Sequence, residues 1–165
     1  MIAIRPLRLD DRADVLRINA AAGAAVIRLD PPELSRLTRI SCLHLVAARA
    51  GDAIAGYVLA FSSNDAYDGQ EFLAFRSSFD EPFWYVDQIA VESRCREMGV
   101  GRMLYEALVS GARQRSVRAI FCEVNTTPAN PDSLNFHRRV GFEQVGTLST
   151  LDGRKVALLR RHTNV

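Results

Sequence analysis

Residues 2–9 alternate between aliphatic and polar side chains, which predicts an opening strand. Asp10, Asp11 and Asp14 then crowd the start of a helix whose apolar stripe is Val15, Ile18 and Ala22, and acidic residues are favoured at that end. Asp30-Pro31-Pro32-Glu33 predicts a second helix start, with a capping carboxylate and proline in the first turn. Residues 44–49 and 54–61, separated by Gly51-Asp52, predict a β-hairpin. Residues 62–82 are polar with interleaved aromatics and form the longest irregular stretch. Residues 84–91 predict a strand, and Val100, Met103, Leu104, Ala107, Leu108 and Gly111 recur at helical spacing. Residues 117–124 are almost wholly apolar, the mark of a strand buried on both faces. Residues 130–140 predict a helix closed by Gly141, and residues 142–148 and 155–161 a final pair of strands around Asp152-Gly153. The order is β-α-α-β-β-β-α-β-α-β-β. No repeat, low-complexity tract or linker interrupts it, so residues 1–165 read as one domain of the α/β class.

Between the strand at 84–91 and the helix after it lies Arg96-x-x-Gly99-x-Gly101. A side chain at either glycine would obstruct a ligand lying against the main chain, and the helix start offers unpaired N–H groups to an anion. In isolation the pattern is also that of a tight strand-to-helix connection. A dinucleotide fold fits poorly, because no G-x-G-x-x-G follows the first strand, and a P-loop is excluded by the absence of Gly-Lys-Ser/Thr. Composition changes little: 48% hydrophobic and 24% charged residues belong to a soluble globular protein. A formal charge of +2 with scattered Lys and Arg calls for no nucleic-acid partner. Neither a signal peptide nor a membrane span is indicated, so the expectation is a cytoplasmic protein without a membrane partner. Cys42, Cys95 and Cys122 lack metal-ligand spacing and are read as three buried or half-buried thiols.

With Val91 before it and the helix to Leu108 after it, Arg96-Glu97-Met98-Gly99-Val100-Gly101 resembles the acyl-CoA-binding motif of the GNAT superfamily of N-acyltransferases. Residues 130–137, ending at Gly141-Phe142, are similar to that family's next motif. Residues 85–91 and 122–125 resemble a bacterial branch described mainly as predicted acyltransferases. The resemblance implies a mixed, mostly antiparallel sheet flanked by helices and splayed between two central strands, with acetyl-CoA as cosubstrate and no metal. Ile89, Ala90 and Val91 would offer main-chain groups to the pantetheine amides, in the manner of an added strand. Arg96, Glu97, Met98, Gly99, Val100 and Gly101, with Arg102 following, would wrap the pyrophosphate. Asn130 would bond the pantetheine arm, a role compatible with capping its helix, and Ser133 and Phe136 would line the same channel. Dimers are common in the family, so the resemblance also raises a homodimer.

Many family members carry Tyr four residues before the Gly-Phe, where its hydroxyl donates a proton to the departing thiolate. This chain has His137. An imidazolium can donate too, and its free pKa of roughly 6.5 leaves it titratable near neutrality. The other reading is a core histidine bonded to a carbonyl. Asp87 and Glu123 are both candidates for the general base: each is a carboxylate among apolar strand neighbours, where burial raises its pKa. Either could instead anchor backbone amides or an arginine. A lysine-like amine costs roughly 4.6 kcal/mol to deprotonate at pH 7, an α-amino group only about 1 kcal/mol. Cys95 and Cys122 have no assigned His partner, so direct attack is expected rather than an acyl-enzyme. Tyr85, Trp84 and Asn125 are candidates for contact with the acceptor. Tyr67, Phe72, Phe75, Phe79 and Phe83 either roof that pocket or pack a short helix onto the sheet, with Asp65 and Asp68 near enough to attract a cation. The expected function is transfer of an acetyl group from acetyl-CoA to a primary amine. The alternatives are an acyl-CoA sensor with little turnover and an unrelated binder of phosphate ligands.

Overall fold

Seven strands and five helices alternate in the computed structural model, which describes residues 1–164. In chain order they are β1 (Ile2–Pro6), α1 (Arg12–Ala22), α2 (Pro31–Ile40), β2 (Leu45–Arg49), β3 (Ile54–Ser62), α3 (Gln70–Ser78), β4 (Phe83–Val91), α4 (Val100–Gln114), β5 (Ala119–Thr127), α5 (Pro131–Arg139), β6 (Glu143–Ser149) and β7 (Lys155–His162). The strands are hydrogen-bonded in the order β1-β2-β3-β4-β5-β7-β6, a mixed and mostly antiparallel sheet in which β4 and β5 run parallel. One helix was missing from the predicted order, although a short helix packed by the aromatics was one of the two readings of its stretch. Helix α3 lies inside the stretch read as irregular, because Glu71 shares its buried side with Phe72 and Phe75 and breaks the apolar stripe by which a helix is recognised. No helix among the described residues is long and apolar enough to cross a membrane.

Chain contacts sort the fold into two compact units: residues 1–61 with 88–108, and residues 62–87 with the chain from 109 onward. In the first, the predicted hairpin forms between β2 and β3, and Asp30 caps α2 by accepting from the Glu33 N–H at 2.8 Å. The acidic cluster before α1 divides its roles. Asp11 turns away from the helix, accepting two hydrogen bonds from Arg5 (2.7 and 2.8 Å) and one from the Arg8 N–H (2.7 Å). Asp14 pairs with Arg17, which also reaches Glu92. Asn19, buried on α1, was absent from the predicted stripe because it is polar. Its amide donates to the Ile27 carbonyl (3.0 Å), the Tyr57 hydroxyl (3.1 Å) and Gln88 Oε1 (3.0 Å), while its Oδ1 accepts from the Leu29 N–H (2.8 Å). Gln88 completes the network, accepting from Tyr57 and donating to the Ile27 carbonyl, each at 3.0 Å. The buried amides of Asn19 and Gln88 and the Tyr57 hydroxyl therefore all have partners, as burial requires.

The second unit is built on aromatic side chains. Phe72, Phe75, Phe83, Tyr85 and Phe121 are all buried, with ring centroids 4.6–6.5 Å apart and mostly tilted or edge-on. Each such ring removed from water contributes about 1.5–3 kcal/mol. Strand β5 pairs with β7 along residues 119–127, and Thr163 closes the unit by donating to the Val117 carbonyl at 2.6 Å. Asn130 caps α5 by accepting from the Ser133 N–H at 3.2 Å.

Two features of the first unit make testable claims. A Cβ at Gly56 would sit 2.9 Å from the Ala90 carbonyl oxygen and 3.1 Å from Val100 Cγ1, so β3, β4 and α4 meet only because that position has no side chain. Gly56→Ala is expected to cost about 1–3 kcal/mol in urea unfolding, the usual penalty for overpacking. Bonding to Arg5 lowers the Asp11 pKa in the folded chain, so its stabilisation is present above the unfolded value of about 3.9 and is lost as pH falls through the lower folded value. Asp11→Asn is expected to destabilise by about 1–3 kcal/mol at pH 7, and its unfolding curve should converge on that of the wild type as the pH drops below about 4.

Candidate active site

Strand β4 changes character along its length. Residues 83–86 are buried without interruption, whereas beyond them Gln88 and Ala90 are buried and Asp87, Ile89 and Val91 are half-exposed. Strand side chains alternate, so the second half of β4 has one covered face and one open face. In the first unit the Glu92 N–H donates to the Ala55 carbonyl on β3 at 2.8 Å. Main-chain groups alternate likewise, so Ile89 and Val91 turn theirs to the opposite edge. A short 3-10 turn at Ser93–Cys95 follows, and then Arg96, Glu97, Met98 and Gly99, all exposed. Glu97 and Gly99 both lie in the left-handed region, with φ of 66° and 76°. An added Cβ at Gly99 would meet nothing within 4 Å, so the glycine serves backbone conformation and an open approach rather than tight packing within the chain. The Gly99 carbonyl accepts from the Met103 N–H at 3.0 Å, which makes Val100, Gly101 and Arg102 the first turn of α4, where N–H groups have no intrahelical acceptor. Val100 and Gly101 are buried and Arg102 is exposed.

In the second unit, carboxyl groups and tyrosines converge. The Tyr85 hydroxyl donates to Glu123 Oε2 at 2.8 Å, and the Tyr67 hydroxyl donates to Asp87 Oδ1 at 2.5 Å. The two tyrosine rings stack at 6.1 Å. Register explains the first bond: Tyr85 lies beside Phe121 in the parallel ladder, and Glu123 is two residues further on the same face. Desolvation, together with the nearby Glu71 and Asp87 carboxyl groups, pushes the Glu123 pKa well above the usual carboxylate range. Desolvation and the same carboxylates push both tyrosine hydroxyls upward, so Tyr67 and Tyr85 stay protonated and act as donors. Asn125, the next residue on that face of β5, accepts from Arg154 at 3.1 Å, and Arg154 also donates to Glu71 at 2.9 Å.

Two predicted site residues, Trp84 and His137, are buried. Trp84 is buried, and an added Cβ on Gly111 of α4 would lie 3.1 Å from its ring; it faces the side of β4 opposite Tyr85 and belongs to the core. His137 is buried between Phe136 and Phe142, and its Nδ1 donates to the Ser133 carbonyl at 2.7 Å. Desolvation pushes its pKa down to about 4, so the ring is uncharged near neutrality. The imidazolium expected as proton donor is not its resting form, and the carbonyl-bonded histidine that the sequence left open describes it. Ser133 and Phe136 are half-buried on the same helix, and Ser133 Oγ lies 3.3 Å from His137 Nδ1. Of the aromatics, Phe72, Phe75 and Phe83 are buried in the core, Phe79 is half-buried against Phe75 and Phe121, and Tyr67 addresses a polar partner. Asp65 is engaged in its own turn, accepting from the Ser62 N–H at 2.7 Å. The three cysteines are free thiols, but Cys42 is exposed rather than buried.

Glu71 and Arg154 went unnoticed in the sequence, where 83 residues separate two groups joined by an ion pair. Nothing local marks such a pair. A lone acid beside two phenylalanines was the only hint at Glu71.

Residues 19–142 match the acetyltransferase (GNAT) family. No curated protein matches the chain significantly. Among solved structures, Ard1 from Thermoplasma volcanium aligns with a TM-score of 0.75 at 21% identity, over 98% of this chain and 97% of that one. The ribosomal-protein-S18-alanine N-acetyltransferase from Escherichia coli aligns with a TM-score of 0.71 at 17% identity, over 100% and 96%. Arabidopsis thaliana Naa50, in complex with the bisubstrate analogue CoA-Ac-MVNAL, gives 0.71 at 14% identity, over 97% of each chain. At these identities the structural likeness speaks for the fold, and the family match over most of the chain speaks for kinship. The protein belongs to the acetyltransferase (GNAT) family.

Proposed function

We propose that the protein moves an acetyl group from acetyl-CoA to a primary amine by direct attack on the thioester. The observation that carries this reading is Glu123, a half-buried carboxyl group whose pKa is driven upward and whose hydrogen-bond donor is a tyrosine. A carboxylate of raised basicity accepts a proton from an ammonium group more readily than an ordinary one, which lowers the cost of presenting the neutral amine. Glu71 and Asp87 add negative charge around it and favour a cationic acceptor. Asp87, held by Tyr67, then serves to attract the acceptor rather than to take its proton.

Bound acetyl-CoA supplies the activated acyl group. The outward main-chain groups of Ile89 and Val91 suit the pantetheine amides, with Ala90 holding the strand against β3. The start of α4 suits a pyrophosphate: a left-handed Gly99, open space above it, N–H groups at Val100, Gly101 and Arg102, and the exposed Arg96 guanidinium. Glu97 and Met98 complete the turn. Asn130, Ser133 and Phe136 extend the cosubstrate contacts along α5. A second reading, an acyl-CoA sensor with little turnover, draws support from the uncharged His137 standing where many relatives place a tyrosine.

The deciding experiment follows CoA thiol release against a panel of amines and peptides, beside the thermal shift that acetyl-CoA produces. Amine-dependent release supports transfer, a thermal shift without release supports the sensor, and neither effect overturns both. Glu123→Gln is expected to lower kcat/KM by about 10²–10⁴-fold with the acetyl-CoA shift retained; unchanged turnover would remove Glu123 from the mechanism. Gly99→Glu is expected to weaken acetyl-CoA binding by at least about tenfold in calorimetry, since it sets an anion where phosphates would lie. Gly99→Asn, which tolerates the left-handed backbone and carries no charge, should bind more tightly than the glutamate variant.

A further inference from the structure

Arg154 precedes β7 and bonds to three separate segments of the second unit. Its Nη2 donates to Glu71 Oε1 on α3 at 2.9 Å, its Nε to Asp152 Oδ2 in the β6–β7 turn at 2.8 Å, and its Nη1 to Asn125 Oδ1 on β5 at 3.1 Å. The Glu71 side chain is 7% exposed and that of Arg154 is 21% exposed, so this pair is largely withdrawn from water. Asn125 lies two residues beyond Glu123 and shares its face of β5. A guanidinium that spends its donors on three fixed acceptors, one of them a buried carboxylate, is costly to desolvate and is not needed to close a surface turn.

We propose that Arg154 is a positioning residue for the acceptor site: it fixes Glu71 and Asn125 alongside Glu123 and brings a positive charge to a place where three carboxyl groups meet. This rests on the reading of Glu123 as the base. Around Glu123 stand the Tyr85 hydroxyl and Asp87 from β4, Tyr67 from the segment before α3, Glu71 from α3, and Arg154 from the approach to β7. The carboxylates oppose ionisation of Glu123, and Arg154 favours it. Without Arg154, Glu71 would stand uncompensated next to the base, and Glu123 would hold its proton to higher pH. Glu71→Gln would act in the opposite sense.

The test has an arm that does not depend on turnover. The side-chain carboxyl carbon of Glu123, assigned by its loss in Glu123→Gln, is titrated by NMR in the full chain. Arg154→Met is expected to raise its midpoint by about one pH unit. Glu71→Gln should lower it, and the double variant should return it near the wild-type value. Arg154→Lys keeps the charge but cannot bridge three acceptors, so its midpoint should stay near wild type. Where an amine substrate is found, the ionisation limb of kcat/KM should move with the NMR midpoint in each variant. A midpoint unmoved by Arg154→Met while Glu71→Gln shifts it overturns the proposal, as does a double variant that fails to restore it. Absence of turnover with every amine would overturn the transferase reading, while the titration would still decide the role of Arg154.

Discussion

Taking a carboxyl group out of water is among the costliest things a small fold can do, and the second unit does it repeatedly. Glu71 is buried, Glu123 and Asp87 are half-buried, and the charges of Glu71 and Asp87 both bear on Glu123. Each has a compensating group: an arginine for Glu71, and a tyrosine hydroxyl for each of the others. The arrangement is a graded one. The carboxylate with the cation is anchored, and Glu123, given only a neutral donor, is left with a raised affinity for protons. The aromatic core around Phe72 and Phe75 supplies the low-dielectric surroundings, and a carboxyl group so placed is what the proposed transfer to an amine would draw on.

Much of this was legible in the residues. Strand alternation placed Asp87 on the face of Tyr85, helical spacing delimited α4, and Arg96-x-x-Gly99-x-Gly101 fell at the strand-to-helix turn where an anion site belongs. The capping roles of Asp30 and Asn130 followed from local chemistry and were found as expected. The sequence was less informative where distant residues decide the outcome. Glu71 concealed α3, because a buried acid looks like a surface residue until its arginine is located. Trp84 looked like a pocket residue beside Tyr85, yet neighbours on a strand face opposite ways, and Gly111 had already made room for its ring. His137 sat at a position suited to an acid, but whether an imidazole is charged depends on burial, which the three-dimensional packing alone determines.

Glycine has two separate uses in the first unit. At Gly56 the missing side chain admits a neighbouring strand and helix to within contact distance; at Gly99 it permits a left-handed turn with free space above it. The first is a matter of packing inside the chain and the second of access from outside it. Only the second had a recognisable motif around it, which is why Gly56 drew no notice in the sequence.

The segment between α1 and α2 has no ladder to hold it, yet the Ile27 carbonyl and the Leu29 N–H are both claimed by amide side chains from Asn19 and Gln88. Its shape is therefore set by uncharged dipoles, whereas the nearby Arg5–Asp11 clasp relies on full charges. Ionic strength and acidity, which weaken the clasp, have little purchase on the amides. The linker between the helices would keep its course in brine or in acid strong enough to protonate Asp11, conditions under which the clasp on the amino-terminal strand loosens.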